Sequence, residues 1–143
     1  MNELSLSVKK TIHAPIEEVF DAWLNPKTLS KFMLPMKGMP EPDVVTDPRQ
    51  GGKFTIIMNP GDKALPHSGE YLIIDRPNKI SFTWESDHSI EGSTVTLEFA
   101  AHDKDSTEVR LTQVKFFDAQ ARDDHEGGWT CILETLVKVV SHD

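Results

Sequence analysis

Cysteine is all but missing from this chain. Cys131 stands alone among 143 residues, so no intrachain disulfide can form, and its place in an apolar stretch suits a buried thiol in a reducing compartment. Long apolar runs are missing too. No segment approaches the ~20 apolar residues a membrane helix needs, and Met1 to Lys10 has neither the basic start nor the apolar core of a secretory signal. Membrane insertion is therefore not expected, and a cytoplasmic protein is. Positive charge is scarce: 15 Lys and Arg face 23 Asp and Glu, for a formal net charge of −8. The lysines are scattered among carboxylates, so there is no basic stripe to neutralise phosphates, and nucleic acid is not an expected partner.

Catalytic signatures are lacking as well. There is no G-x-S-x-G elbow, phosphate-cradling P-loop, H-E-x-x-H zinc motif or dinucleotide fingerprint. The histidines (His13, His67, His88, His102, His125 and His142) occur singly, without ligand spacing. Asp118, Asp123, Asp124 and His125 lie close in sequence, but acidic residues at the start of a helix are explained by its dipole. No metal, cofactor or catalytic residue is assigned. His67 and Glu70 offer an acid and a base, yet on a strand an odd step sends them to opposite faces.

What the chain does have is globular composition, 38% hydrophobic and 27% charged, in a length that suits one domain with a substantial core. Leu4, Leu6 and Val8 alternate with polar residues and lead to Ile12, the mark of a half-buried first strand. Pro15 fits a first helical position, Glu17 and Glu18 favour the positive end of the dipole, and Ile16, Val19, Phe20, Trp23 and Leu24 form one apolar stripe. Asn25-Pro26 ends that helix, and a second short one carries Leu29, Phe32 and Met33. Leu34 to Pro42, rich in Met and Pro, reads as an irregular loop.

Six segments rich in β-branched and aromatic residues follow: Asp43 to Thr46, Lys53 to Asn59, His67 to Asp75, Ile80 to Ser86, Ser93 to Ala101 and Thr107 to Phe116. Turn residues separate them, and short connections imply an antiparallel meander. After Asp118 the period changes. Trp129, Ile132, Leu133, Leu136, Val137 and Val140 recur at three and four, which predicts a final helix of about four or five turns, with Asp123, Asp124 and Glu126 near its start.

The fold class expected is α+β, a curved sheet of six or seven strands closed by one long helix. A helix about 10 Å wide cannot fill the hollow of so broad a sheet. A dry, unrelaxed void of ~300 Å³ would cost about 7 kcal/mol, rivalling the stability of a whole domain. Such a space must collapse, hold water or hold a ligand.

The chain resembles a known family. Ala14-Pro15 before Val19-Phe20-Asp21-Ala22-Trp23, Pro26 and Leu29, Asp47-x-Arg49-x-Gly51-Gly52-x-Phe54, Gly69-x-Tyr71, Pro77 with Ile80-x-Phe82, Thr107 to Leu111, and Gly128-Trp129 before Leu133 and Leu136 are similar to the bacterial homologues of the activator of heat shock protein 90 ATPase. That family lies in the START-like, Bet v-like (SRPBCC) superfamily. The resemblance implies a helix-grip fold, one START-like domain over residues 1–143, and a cavity between sheet and terminal helix for lipids, polyketides, hormones or other apolar molecules. It also names a heat shock protein 90 chaperone as a second candidate partner. The separate N-terminal domain that stimulates the ATPase in the eukaryotic co-chaperone has no counterpart in this length.

The expected function is thus carriage or sensing of a small apolar ligand, with a chaperone-interaction module and an enzyme acting in the same cavity as alternatives. The residues expected to line the cavity are Trp129, Leu133 and Leu136 from the helix, Phe54, Ile56, Tyr71, Phe82 and Trp84 from the sheet, and Phe32 and Met36 from the closing end. His67 and Gln113 are the polar groups expected on the inner wall. Met33, Met36 and Met39 suit an adaptable lid or an ordinary surface loop. Asp47 and Arg49 beside Gly51-Gly52 are explained by a turn before an anion site. Oligomeric state is not readable.

Overall fold

A computed structural model of the chain describes residues 4–34, 38, 40–58, 64–86 and 91–140. Its elements run β1 (Ser5–Ile12), α1 (Ile16–Ala22), α2 (Pro26–Phe32), β2 (Asp43–Thr46), β3 (Lys53–Met58), β4 (Leu65–Asp75), β5 (Lys79–Thr83), β6 (Thr94–Asp103), β7 (Ser106–Val114) and α3 (Ala119–Val140). The strands form one curved antiparallel sheet in the order β1-β7-β6-β5-β4-β3-β2. From β2 to β7 the chain is the expected meander. β1 departs from it: α1 and α2 carry the chain away, and β1 pairs with β7 through a register running from Ser5 opposite Val114 to Ile12 opposite Thr107. Buried Thr107 secures that edge by donating its hydroxyl to the Ala14 carbonyl at 2.8 Å.

Local chemistry accounts for the helices. Pro15, with extended backbone, precedes α1, whose first turn holds Glu17 and Glu18. The Asn25 side chain caps α2 by accepting from the Lys27 and Thr28 amides, with Pro26 at the first helical position. Met33 follows α2 and is buried, so it belongs to the core and not to a lid. Met36 and Met39 lie outside the described residues.

Along β3, β6 and β7 the buried and exposed positions alternate, turning Phe54 and Ile56, Val95 and Leu97, and Val109 and Leu111 inward. A register shift between Tyr71 and Ile73 interrupts β4. His67, Gly69 and Tyr71 point inward before it, whereas Leu72 and Ile73 are exposed after it. The bulge inserts one residue, and the inward-facing set changes parity there.

α3 is longer than its apolar period indicates: 22 residues, about six turns. Its first turn contains no acidic residue, so Asp123, Asp124 and Glu126 do not occupy the start of the helix. Asp118 does that work, its carboxylate accepting from the Ala121 amide at 2.8 Å. The remainder of α3 packs Trp129, Ile132, Leu133, Leu136 and Val140 into the core, and the helix lies against β1 and α2. No helix among the described residues is long and apolar enough to cross a membrane.

Candidate functional site

The hollow of the sheet is occupied by side chains over most of its length. Phe54, Ile56, Tyr71, Phe82, Leu133 and Leu136 all face inward, and all are buried in a continuous core that also holds Phe32. The Phe54 ring lies 5.3 Å from Tyr71 and 5.2 Å from Phe82, ordinary spacings for packed aromatic pairs. These residues therefore form a solid wall.

Tyr71, the one tyrosine of the chain, reports on that wall. Burial, reinforced by the Asp47 carboxylate, pushes its phenol well above the ordinary value near 10. The unfolded chain releases this proton near pH 10 and the folded one does not, so its contribution to stability is complete below pH 10 and is lost as pH rises past it. In an alkaline titration, tyrosinate absorbance is expected to rise only together with the loss of tertiary circular dichroism. A tyrosinate signal near pH 10 in still-folded protein would contradict this placement.

Open space between the sheet and α3 is found at the N-terminal end of that helix. A cleft of about 630 Å³ opens there between that helix and the ends of β3, β4 and β5. Its sheet wall is Met58, His67 and Trp84, and Trp129 and Ile132 lie deepest on the helix side. The Trp84 ring sits between His67 and Trp129, each centroid 5.0 Å away. Trp84 also carries a buried indole N–H that finds no hydrogen-bond partner among the described residues. Of the residues expected to line a cavity, His67, Trp84 and Trp129 meet here. Met36 lies outside the described residues, and the others expected there pack away from the cleft.

Gln113 is inward-facing and wholly buried, but Trp129 covers it. The Trp129 indole N–H donates to Gln113 Oε1 at 2.7 Å, Gln113 Nε2 donates to Ser93 Oγ at 2.8 Å, and Ser93 Oγ donates to the Val114 carbonyl at 3.0 Å. This chain of bonds fixes the amide of Gln113 and the plane of the indole, so Gln113 positions the cleft's deepest aromatic ring from behind.

On the helix side of the cleft, sequence reasoning named Trp129 and missed the rest. Ala121, Asp124, His125, Gly128 and Ile132 line it from α3, at the three- and four-residue spacing of one helical face. The signal was available as a stripe of small and polar residues where an apolar stripe would otherwise continue; Ala121 and Gly128 leave the room that a larger side chain would fill. Phe117 and Asp118 complete the mouth, and Phe117 is 61% exposed.

The acidic residues near this mouth are engaged locally. Asp124 accepts from Gln120 Nε2 at 2.9 Å, Asp123 accepts from Arg122 Nε at 3.2 Å, and His125 Nδ1 lies 2.8 Å from the Ala121 carbonyl. Among the described residues no three His, Cys, Asp or Glu side chains converge as metal ligands do. Arg49 is paired with Asp47 at 2.9 Å on the surface, within the turn that Gly51 makes with φ +83°. His67 and Glu70 lie on opposite faces of β4, His67 inward.

The family described as activator of Hsp90 ATPase homolog 1-like protein matches this chain over residues 13–141. The chain belongs to that family. Solved structures of this activator-like fold extend the match: protein CV1439 from Chromobacterium violaceum superposes with a TM-score of 0.82 at 21% identity, covering 97% of this chain and 98% of that one. PFC0360w, an Hsp90 activator from Plasmodium falciparum, gives 0.72 at 24% identity over 89% of this chain and 88% of its own. An AHSA1-like protein from Aeromonas hydrophila gives 0.77 at 23% identity over 95% and 91%. At these identities the likeness establishes the helix-grip fold of the activator-like family. No curated protein matches the chain.

Proposed function

We propose that this protein binds a small hydrophobic molecule in the cleft at the N-terminal end of α3, as a carrier or sensor. The carrying observation is the opening itself: about 630 Å³ floored by Trp84 and Trp129 beside a packed aromatic and aliphatic core, within the roughly 300–1,000 Å³ of small-molecule sites. That core bears on the reading, because there side chains have closed the hollow. Cys131 is a free thiol, half-buried and not buried as its apolar surroundings suggest; a free thiol suits a reducing compartment, and we place the protein in the cytoplasm.

A thermal-shift screen of diverse apolar compounds tests this reading. Ligand at 100 times its dissociation constant adds about 2.7 kcal/mol, which raises the melting temperature by roughly 5–10 °C in a domain of this size. The Ala121→Phe variant, which places a ring in the cleft, is expected to remove the shift. A broad screen that moves no melting temperature would defeat the proposal.

The family description and the Plasmodium protein's name favour a second reading, an interaction module for an Hsp90 chaperone. Capture of purified chaperone at micromolar concentration supports it, and failure to capture removes it.

A further inference from the structure

The mouth of the cleft and its floor differ in chemistry. The floor is aromatic. At the mouth stand two carboxylates, Asp118 and Asp124, beside the exposed ring of Phe117, and no lysine or arginine lines the cleft among the described residues. His67 and His125 also line the cleft, and the positive end of α3 would attract an anion at its mouth. Asp118 already meets it: its Oδ1 accepts from the Ala121 amide, so the fractional charge of the helix end is offset by a full negative charge. Asp124 Oδ1 accepts from neutral Gln120 Nε2, and among the described residues no ion pair offsets its charge. Arg122 is turned to Asp123 at 3.2 Å and does not line the cleft.

We infer that the cleft selects by charge, taking an apolar molecule that carries an amine or another cationic group at one end and rejecting its carboxylate counterpart. The inference rests on the reading of the cleft as the ligand site. An ammonium entering with its apolar body against Trp84 and Trp129 leaves its charge near the Asp118 and Asp124 carboxylates and the face of Phe117, where Coulombic and cation–π attraction add. A carboxylate in the same pose meets like charge, with no lysine or arginine lining the cleft among the described residues. Each exposed carboxylate contributes modestly because water screens it, so two together separate the amine from the acid by about tenfold in affinity.

Matched probes test this by calorimetry and thermal shift on the full chain: 1-naphthylmethylamine, 1-naphthalenemethanol and 1-naphthylacetate, with dodecylamine, dodecanol and dodecanoate as an aliphatic set. In low salt the amine of each set is expected to bind best and the acid about tenfold more weakly, with the alcohol between. The gap is expected to narrow as salt rises. Asp118→Asn/Asp124→Asn should bring amine and acid within about threefold of each other, read as the ratio of their affinities for the same protein; asparagine at position 118 still caps the helix. Equal binding of amine and acid, or an acid that binds better, overturns the charge selectivity and leaves the cleft as the ligand site. A gap that persists unchanged in the double variant also overturns it, since the carboxylates then do not cause it. Failure of all six probes to bind removes the inference together with the reading beneath it.

Discussion

The Trp129→Ala protein is expected to lose about 4 kcal/mol of unfolding free energy, at the severe end for a single core truncation. Two effects combine. Removing the indole leaves a void in the region where Trp129 contacts Trp84 at 5.0 Å, and it strips Gln113 Oε1 of the donor it holds at 2.7 Å. That oxygen belongs to a side chain with 0% exposure beneath Trp129, so only water entering through the opened cleft can replace the lost partner. Trp129→Phe separates the effects. It keeps a ring in place but not the N–H, and the orphaned acceptor alone costs about 1–3 kcal/mol. Adding Gln113→Leu to Trp129→Phe removes both members of the pair and is expected to recover about 1 kcal/mol, since Ser93 Oγ loses the Gln113 donor but still donates to the Val114 carbonyl. Urea denaturation measures each variant, with the midpoint moving and the slope constant. If Trp129→Phe were as stable as the parent, the hydrogen-bonded chain through Gln113 and Ser93 would contribute nothing to holding the cleft's deepest ring.

The division between what the sequence discloses and what it conceals follows the range of the interactions. The strands were legible because Phe54-Thr55-Ile56 or Val109-Arg110-Leu111 each alternate within a few residues, and the turns because Asp, Asn, Pro and Gly mark them locally. The partner of β1 was not legible. Nothing in Leu6 or Val8 distinguishes pairing with β2 from pairing with β7, which lies about a hundred residues away and is met only when the sheet curves round. The bulge beyond Tyr71 was hidden in the same way, since Leu72 and Ile73 look like any apolar pair in a strand.

At the site, His67, Trp84 and Trp129 were readable as inward-facing groups of the sheet and terminal helix. The rest of the cleft's helix side was not. Its face of α3 has no apolar period because it packs against no partner, and the helix was consequently read as starting too late. Leu133 and Leu136 carry the same helical signal as Trp129, and no pattern within α3 tells that those two join the core that holds the aromatic rings of β3 to β5, whereas Ala121 lines an open cleft. Position along a groove is a property of the assembled volume of side chains.

Those rings are held close by one residue without a side chain, and Gly69→Ala is expected to cost about 3 kcal/mol, lowering the melting temperature by roughly 6–12 °C. A Cβ at Gly69 would overlap the Thr83 carbonyl oxygen and stand 2.6 Å from Cε2 and Cζ of Phe54. Neither neighbour can give way cheaply. Thr83 lies at the end of β5, where its own hydroxyl accepts from the Glu70 amide at 2.9 Å, and Phe54 is hemmed in by Tyr71 and Phe82, with Trp84 at 6.3 Å. The added methyl must therefore push Phe54 toward Trp84, so ligand affinity and the tryptophan emission of Trp84 should change together with stability. Phe54→Leu in the Gly69→Ala background is expected to restore only part of the loss, because it relieves the ring and not the carbonyl. Gly127→Ala gives the contrast. Nothing lies within 4 Å of a Cβ there, in the middle of α3, and the better helix former should stabilise by up to about 1 kcal/mol. Two glycine-to-alanine changes thus differ by about 4 kcal/mol with opposite signs. Equal effects would mean that Phe54 does not lie over Gly69 and that the aromatic wall behind the cleft is arranged differently.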